Sequence, residues 1–223
     1  MSAFYFPFDF TKDDIIKIVG DEFKHIKVQR KLSNELKITN GLGKLAITDV
    51  IDVQKDYISL KVKEIIENNN ESSKHITLFF GLIDDKNRIE YLIEKATELG
   101  VISIYPVFCK NSQFKKFDIK RAIKKSIAAI KQSERSLLPE INEIIDFNSM
   151  LSMFDKYELN ILADMNGNDS IENKNNISIC VGPEGGFTAD ELAKLNKITT
   201  SLKVGNSVLR TETATIALIS KII

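Results

Sequence analysis

The segment Val181-Gly182-Pro183-Glu184-Gly185-Gly186-Phe187 follows an apolar run and precedes a helical pattern. A second segment, Gly205-Asn206-Ser207-Val208-Leu209-Arg210-Thr211-Glu212-Thr213-Ala214, lies in the same way between the next apolar run and the last helical pattern. Glycine has no Cβ and tolerates positive φ, so its backbone can approach a ligand closely. Two such loops, each at the carboxyl end of a predicted strand, predict a ligand site in an α/β domain.

Predicted strands and helices alternate around these two loops. The apolar run Ile76–Ile83 reads as a strand buried on both faces, and the helix after it is expected to end at Gly100. Thr188 and Glu191 have the spacing of a capping box, which predicts a helix from Ala189. Further strands are expected at 102–108, 160–163, 177–181 and 201–204, with a basic helix after the first of them and a terminal helix from Glu212. This alternation predicts a parallel α/β sheet.

The first third of the chain has a different pattern. Short alternating runs at 36–39, 44–50 and 57–62 are separated by turn signals, which predicts a small β-rich module such as a barrel. A short basic helix is expected at 22–31, and the polar segment 67–74 is the best linker candidate. The predicted domains are therefore 1–68 and 74–223.

Composition excludes several classes of protein. The 223-residue chain has a formal net charge of zero and no apolar run of membrane-spanning length. Its N-terminus shows neither the basic n-region nor the cleavage site of a secretory signal, so none is expected. Cys109 and Cys180 form no CxxC pair and only two histidines are present, which predicts buried free thiols and no metal site. A cytoplasmic, metal-free protein without membrane association is expected.

Positive charge is concentrated between Lys110 and Arg135. This segment has nine basic residues against two acidic ones, and its isoleucines recur at helical spacing. The pattern predicts an amphipathic helix with a cationic face. That face is either a solvated helix surface or a contact surface for RNA phosphates. The basic residues are Lys110, Lys115, Lys116, Lys120, Arg121, Lys124, Lys125, Lys131 and Arg135.

The two loops do not match a phosphate-binding motif. The first has neither the GxGxxG nor the GxxxxGK[ST] spacing, and Glu184 in its centre would repel a phosphate. Glu184 suits a cationic ligand or a hydroxyl donor. The alternative is that this loop is only a tight turn between strand and helix, in which the glycines satisfy the backbone geometry. Arg210 in the second loop suits a phosphate or a polar base edge. The alternative for Arg210 is a surface ion pair with Glu212.

The GPEGGF segment, followed by G-x-x-[VI]-L-R-T-E-T-A, resembles the ribosomal small-subunit methyltransferase E (RsmE) family of the SPOUT superfamily. Three further stretches resemble motifs of that family: Glu94–Val101, Lys131–Arg135 with Pro139 after it, and His25–Arg30. The resemblance implies an α/β fold in which a C-terminal trefoil-knotted SPOUT methyltransferase domain follows a small N-terminal PUA-like β-barrel. Periodicity alone predicts only an ordinary parallel sheet, because knots are very rare.

The resemblance also implies an activity, a cofactor and partners. The activity is S-adenosylmethionine-dependent methylation of N3 of a specific uridine in 16S ribosomal RNA. The expected partners are this RNA, within the assembled 30S particle, and a second copy of the chain. Arg210 is the expected catalytic cation, while Glu184 and Glu212 are alternatives for accepting the proton or orienting the uridine.

The remaining expected site residues fall into two groups. Cofactor-binding residues are Leu162, Ala163, Gly182, Pro183, Glu184, Gly185, Gly186, Val204, Gly205, Val208 and Leu209. RNA-binding residues are Lys24, Lys27, Arg30, Lys31, Lys120, Arg121, Lys124, Lys131 and Arg135.

Two alternative functions stay open. A SPOUT methyltransferase acting on the ribose 2′-hydroxyl typically carries an N-x-x-x-R element in its first strand–helix turn. The corresponding segment here, Asp84–Arg88, lacks that spacing. A non-catalytic RNA-binding assembly factor would show a damaged glycine loop or no Arg210, and neither is seen.

Overall fold

The computed structural model describes residues 2–29, 34–113 and 116–223. The chain forms two compact units. The first comprises Met1–Glu71 together with Ile127–Leu138, and the second comprises Ser72–Ser126 together with Pro139–Ile223.

An antiparallel sheet is the framework of the first unit. Its elements are β1 (Phe4–Tyr5), β2 (Ile15–Val19), α1 (Gly20–Gln29), β3 (Glu35–Thr39), β4 (Lys44–Val53) and β5 (Tyr57–Glu67). The strand order is β1-β3-β4-β5-β2; the short β1–β3 pair is parallel, and the β3–β4, β4–β5 and β5–β2 pairs are antiparallel. Alternate residues of the strands are buried, so the alternating pattern of the sequence corresponds to one core-facing side of the sheet.

The segment predicted to be a linker contains a structural anchor of the first unit. The carboxylate of Glu71 accepts hydrogen bonds from Arg135 Nε at 3.0 Å and Nη2 at 2.5 Å. It also accepts from the backbone N–H groups of Ser136 and Leu137, both at 2.8 Å. The Arg135 side chain is 1% exposed. A buried guanidinium paired with a carboxylate offers no surface to an RNA phosphate, so the prediction that Arg135 binds RNA is corrected.

The second unit contains a seven-stranded sheet with helices around it. Its elements are β6 (His75–Gly81), α2 (Lys86–Glu98), β7 (Val101–Phe108), α3 (Ile119–Ser133), β8 (Glu140–Ile141), β9 (Ile145–Asp146), α4 (Phe147–Met153), a 3₁₀ turn (Phe154–Lys156), β10 (Leu159–Asn168), β11 (Asn176–Val181), α5 (Ala189–Leu195), β12 (Thr200–Leu202) and α6 (Thr211–Ile222). The boundary between the units falls within α3.

Every strand pair in this sheet is parallel, which confirms the α/β prediction. The order is β12-β10-β11-β6-β7-β8, with β9 also paired to β7. The central strands β6 and β11 are almost wholly buried, as their continuous apolar sequences predict. The capping box of Thr188 and Glu191 is confirmed at the start of α5. The region of β8, β9 and α4 was not anticipated from the sequence.

Strand β10 extends further than the sequence indicates. The predicted strand 160–163 continues to Asn168, with an irregularity in its pairing to β12 between Ala163 and Asn168. Gly167 allows this extension, because a Cβ there would lie 2.7 Å from the backbone of Leu202. In the described part of the chain, no helix is long and apolar enough to cross a membrane.

Candidate active site at the carboxyl ends of the parallel strands

A cavity of about 540 Å³ lies where β10, β11 and β12 end. Its walls are the extended part of β10, the loop 182–187 after β11, and the loop 204–210 after β12. Carboxyl ends of neighbouring parallel strands are the usual place for a ligand in such a sheet. The lining residues are Arg88, Ala163, Asp164, Met165, Asn166, Val181, Gly182, Pro183, Glu184, Gly186, Phe187, Leu192, Val204, Ser207, Val208, Leu209, Arg210, Thr211 and Ala214.

Most of the residues predicted to bind the cofactor line this cavity. The structure brings together Ala163, Gly182, Pro183, Glu184, Gly186, Val204, Val208 and Leu209. Three others lie behind the wall. Leu162 is buried in the core, Gly185 packs against Asn111, and Gly205 packs against Leu209. These three residues support the cavity wall from behind and are not among the residues that line the cavity.

The loop after β11 is held in place by hydrogen bonds. Gly186 has φ +66°, and its N–H donates to the Pro183 carbonyl at 2.8 Å. Only glycine adopts this backbone conformation without strain. The Asn111 amide donates to the carbonyls of Gly185 at 3.0 Å and Gly186 at 3.1 Å. The carbonyl of Gly182 accepts from the Thr211 hydroxyl at 2.9 Å.

The loop after β12 keeps several backbone donors free. Within the described residues, the N–H groups of Gly205, Val208 and Leu209 make no hydrogen bond. The Val208 side chain is 84% exposed, beside the cavity wall. Free backbone donors beside apolar side chains can hold a ligand that has both polar and apolar faces.

Arg88, in the first turn of α2, joins the two glutamates of the predicted site. Its Nε donates to Glu212 Oε1 at 2.9 Å and its Nη2 donates to Glu212 Oε2 at 2.7 Å. Its Nη1 donates to Glu184 Oε1. The side chains of Arg88 and Glu212 are 17% and 9% exposed, whereas that of Glu184 is 40% exposed. Two parallel bonds to one carboxylate make the Arg88–Glu212 pair geometrically specific.

The pKa values follow from this arrangement. Burial acts to raise the pKa of Glu212, but the Arg88 hydrogen bonds and the nearby Arg210 charge bring it below its ordinary value. The two carboxylates in turn raise the pKa of Arg88, chiefly through its hydrogen bond to Glu212. Glu212 and Arg88 are therefore both charged at neutral pH.

Arg210 does not form the surface ion pair with Glu212 that is the alternative interpretation of the sequence. It precedes α6 with extended backbone angles, lines the cavity and is exposed. Among residues 2–29, 34–113 and 116–223, its side chain has no ion pair or hydrogen bond. Glu212 pairs with Arg88 instead. Arg210 is thus an unpaired cation at a cavity wall.

The predicted RNA-binding residues differ in how available they are. In the first unit, Lys27 is exposed, Lys24 pairs with Asp21 at 2.8 Å, and Lys131 pairs with Glu22 at 2.7 Å. In the second unit, Lys120 and Lys124 are exposed, and Arg121 pairs with Glu90. Arg30 and Lys31, like Lys115 of the basic segment, lie outside the described residues.

The thiols and possible metal ligands give no second reactive centre. Cys109 and Cys180 are buried and free, and burial, with the Glu191 charge, raises the pKa of Cys109 to about 12. Such thiols are protonated at neutral pH and unreactive. Across the parts of the chain that the structure describes, no group of three or more His, Cys, Asp and Glu side chains could hold a metal ion.

Sequence reasoning missed two residues of this site. Arg88 lies in the segment compared with the N-x-x-x-R element and Thr211 lies in the motif that carries the family resemblance, but neither is predicted as a site residue. A basic residue in the first turn of α2 is the available signal for Arg88, because a cation is unfavourable at the positive end of a helix unless it pairs elsewhere. For Thr211 the sequence held no such signal.

Comparison with known proteins agrees with this geometry. Residues 70–223 match the family model described as an RNA methyltransferase domain. Ribosomal RNA small subunit methyltransferase E of Rickettsia conorii is 31% identical to the chain over 222 residues, which cover 93% of the chain and 88% of the relative.

Solved structures are similar over nearly the whole chain. One is a ribosomal RNA small subunit methyltransferase E from Neisseria gonorrhoeae bound to S-adenosyl methionine. It has a TM-score of 0.88 and 26% identity, covering 99% of this chain and 95% of the other. A methyltransferase from Legionella pneumophila with bound cofactor SAM shares the fold, with a TM-score of 0.84 and 24% identity over 98% and 95% of the two chains. The chain therefore belongs to the ribosomal RNA small subunit methyltransferase E family.

Proposed function

We propose that this protein transfers the methyl group of S-adenosylmethionine to N3 of a specific uridine in 16S ribosomal RNA. The family is one of small-subunit ribosomal RNA methyltransferases. The observation that carries the proposal is the unpaired Arg210 at the wall of the cavity that two glycine-containing loops enclose. A cation there, free to bind a ligand, suits a substrate that becomes anionic as it reacts.

The cavity fits the proposed cofactor. Its volume of about 540 Å³ lies within the usual range for a pocket that binds a small molecule. Val181, Val204 and Leu209 supply apolar walls for an adenine ring. The free N–H groups of Val208 and Leu209, which line the cavity, supply donors for its polar edge and for the ribose.

The reaction requires a nucleophilic nitrogen and an aligned methyl donor. S-adenosylmethionine, when bound, supplies an electrophilic methyl group on a sulfonium sulfur. The N3–H of uracil is a weakly acidic imide, so its proton must leave before or during formation of the nitrogen–carbon bond. Arg210 stabilises the negative charge that then develops on O2 or O4 of the uracil. Glu184 and Glu212 are the two candidates for accepting the proton or orienting the base.

The cavity and the exposed basic side chains suggest how RNA is held. Lys120 and Lys124 on α3 and Lys27 on α1 are exposed cations that suit phosphate contacts. A base must be unstacked to reach the cavity, which favours a single-stranded or extruded uridine. The assembled 30S particle as substrate, a homodimeric state and a cytoplasmic location complete the proposal on the basis of the family resemblance.

We also propose a trefoil knot in the domain 74–223 and a PUA-like barrel in the domain 1–68. Two close backbone passages support the knot. A Cβ on Gly81 would lie 2.3 Å from the Pro183 nitrogen, and a Cβ on Gly167 would lie 2.7 Å from the backbone of Leu202. The antiparallel sheet of the first unit supports the barrel.

Methylation of small subunits tests the proposed function. Subunits from a strain that lacks this protein are incubated with the purified chain and labelled S-adenosylmethionine, and their nucleosides are analysed by mass spectrometry. The expected product is 3-methyluridine. Arg210→Ala should reduce its formation by about a hundredfold or more, as loss of a transition-state donor does. Lys174→Ala, which removes a partly exposed cation that is not among the residues lining the cavity, is the control.

Other products would assign other functions. Label on a ribose would place the protein with the 2′-O-methyltransferases. Binding of S-adenosylmethionine without any transfer of label would favour the non-catalytic assembly factor.

A further inference from the structure

Arg88 occupies the two carboxylates that lie near Arg210. Four charged groups meet at this end of the second unit: Arg88, Glu184, Arg210 and Glu212. Arg88 binds both carboxylates, and Arg210 binds neither. Glu212 is only two residues from Arg210 in the chain and is close enough for the Arg210 charge to affect its pKa. In the absence of Arg88, Glu212 would be a ready partner for Arg210, and Glu184, which lines the same cavity as Arg210, would be released as a second one.

We propose that Arg88 is a positioning residue for methyl transfer, which holds Glu184 and Glu212 away from Arg210 and so leaves Arg210 free for the substrate. This inference rests on the proposed function of the site. Arg88 also joins the first turn of α2, the loop after β11 and the first turn of α6, which form one side of the cavity. It acts through Arg210 and needs no contact with the uridine.

Electrostatics supports this division of roles between the two arginines. Arg88 is mostly buried and its guanidinium is occupied by three hydrogen bonds, so it has little capacity left for a ligand. Arg210 is exposed at the cavity wall with all its donors free of protein partners in the described chain. With Arg88 present, the four groups sum to zero charge. Without Arg88, a net negative charge would oppose an anionic substrate.

A double-mutant cycle tests the coupling. The full-length proteins are wild type, Arg88→Gln, Arg210→Gln and the double variant, and the readouts are single-turnover rate of 3-methyluridine formation and the Kd for S-adenosylmethionine. Lys95→Gln is the matched control, because it removes another paired cation from the same helix outside the cavity lining. Arg88→Lys serves if Arg88→Gln does not fold, since a lysine cannot hold Glu212 through two parallel bonds.

The expected result is a loss of about tenfold or more in rate for Arg88→Gln, with the Kd for S-adenosylmethionine changed less than about threefold. In the Arg210→Gln background, replacing Arg88 should have no further effect, because its action passes through Arg210. Independent, multiplying losses in the double variant would overturn the proposal. An unchanged rate in Arg88→Gln, or a loss explained wholly by weaker cofactor binding, would do the same.

A crystal structure of Arg88→Gln tests the inference independently of methyltransferase activity. Arg210 should then lie within 4 Å of a carboxylate oxygen of Glu184 or Glu212, the distance expected for an ion pair. An Arg210 side chain that stays unpaired would contradict the inference. If wild type forms no 3-methyluridine but this ion pair appears, the proposed reaction fails while the positioning relationship stands.

Discussion

Thr211 donates its hydroxyl hydrogen to the carbonyl oxygen of Gly182 at 2.9 Å, and this bond joins the first residue of α6 to the loop after β11. Thr211 is 3% exposed, so the bond is shielded from water. The two loops that enclose the cavity are therefore linked directly, and the placement of one depends on the other.

Thr211→Val should weaken cofactor binding by about threefold to tenfold. Valine keeps the shape of threonine but leaves the Gly182 carbonyl without its buried donor, at a cost of about 1–3 kcal/mol. Isothermal titration with S-adenosylmethionine measures the effect.

Thr215→Val is its control. Thr215 is also buried, but its hydroxyl bonds to the Thr211 carbonyl within α6. This variant should lower stability with little change in cofactor affinity. Equal effects of both variants on the Kd would show that the Thr211–Gly182 bond has no special role in the loop.

Gly81→Ala should destabilise the second unit by about 3 kcal/mol or more. The added Cβ would lie 2.3 Å from the Pro183 nitrogen, and backbone rather than a flexible side chain would have to move. Urea denaturation measures the loss. Gly20→Ala, at φ +67° with nothing within 4 Å, should cost only about 1 kcal/mol from backbone strain. Similar midpoints for the two variants would disprove the close passage at Gly81.

Stability should fall in acid partly through Glu212. Its pKa in the folded protein is below the ordinary value of 4.5: burial acts to raise it, but the Arg88 hydrogen bonds, a backbone N–H and the charges of Arg88 and Arg210 together outweigh burial. The ionised form therefore stabilises the fold above the unfolded-state pKa, and this contribution is lost as the pH falls through the lower folded-state pKa. The melting-temperature difference between wild type and Glu212→Gln should be largest above about pH 5 and shrink below pH 4. A difference independent of pH would contradict this.

Arg135→Met should destabilise the first unit by about 3–5 kcal/mol, because it leaves the Glu71 carboxylate buried without its cation. Lys37→Met breaks the ion pair between Lys37 and Glu134, whose side chains are 38% and 22% exposed. This variant should lose only about 1 kcal/mol of stability or less, because a solvated ion pair contributes little. Denaturation of both variants measures the contrast. If Arg135→Met instead kept full stability and lost only RNA affinity, Arg135 would be an RNA contact after all.

Local patterns in the sequence determined much of this protein. Alternating apolar strands and helical stripes predicted the parallel sheet, and the spacing of Thr188 and Glu191 predicted the start of α5. The two glycine-containing loops predicted the edge of the sheet at which the cavity lies. These features could be read because each depends on neighbours within one or two turns or one strand. The strands β8 and β9 were missed because two residues are too few to show a period.

Only the tertiary structure decided which charged groups are paired. Arg88 meets Glu184 and Glu212 across 96 and 124 residues of chain, and Arg135 meets Glu71 across 64. A charge at one position in the sequence looks the same whether it faces solvent, RNA or a buried partner. Its role depends on which distant segments the fold brings within hydrogen-bonding distance, and periodicity carries no information about that.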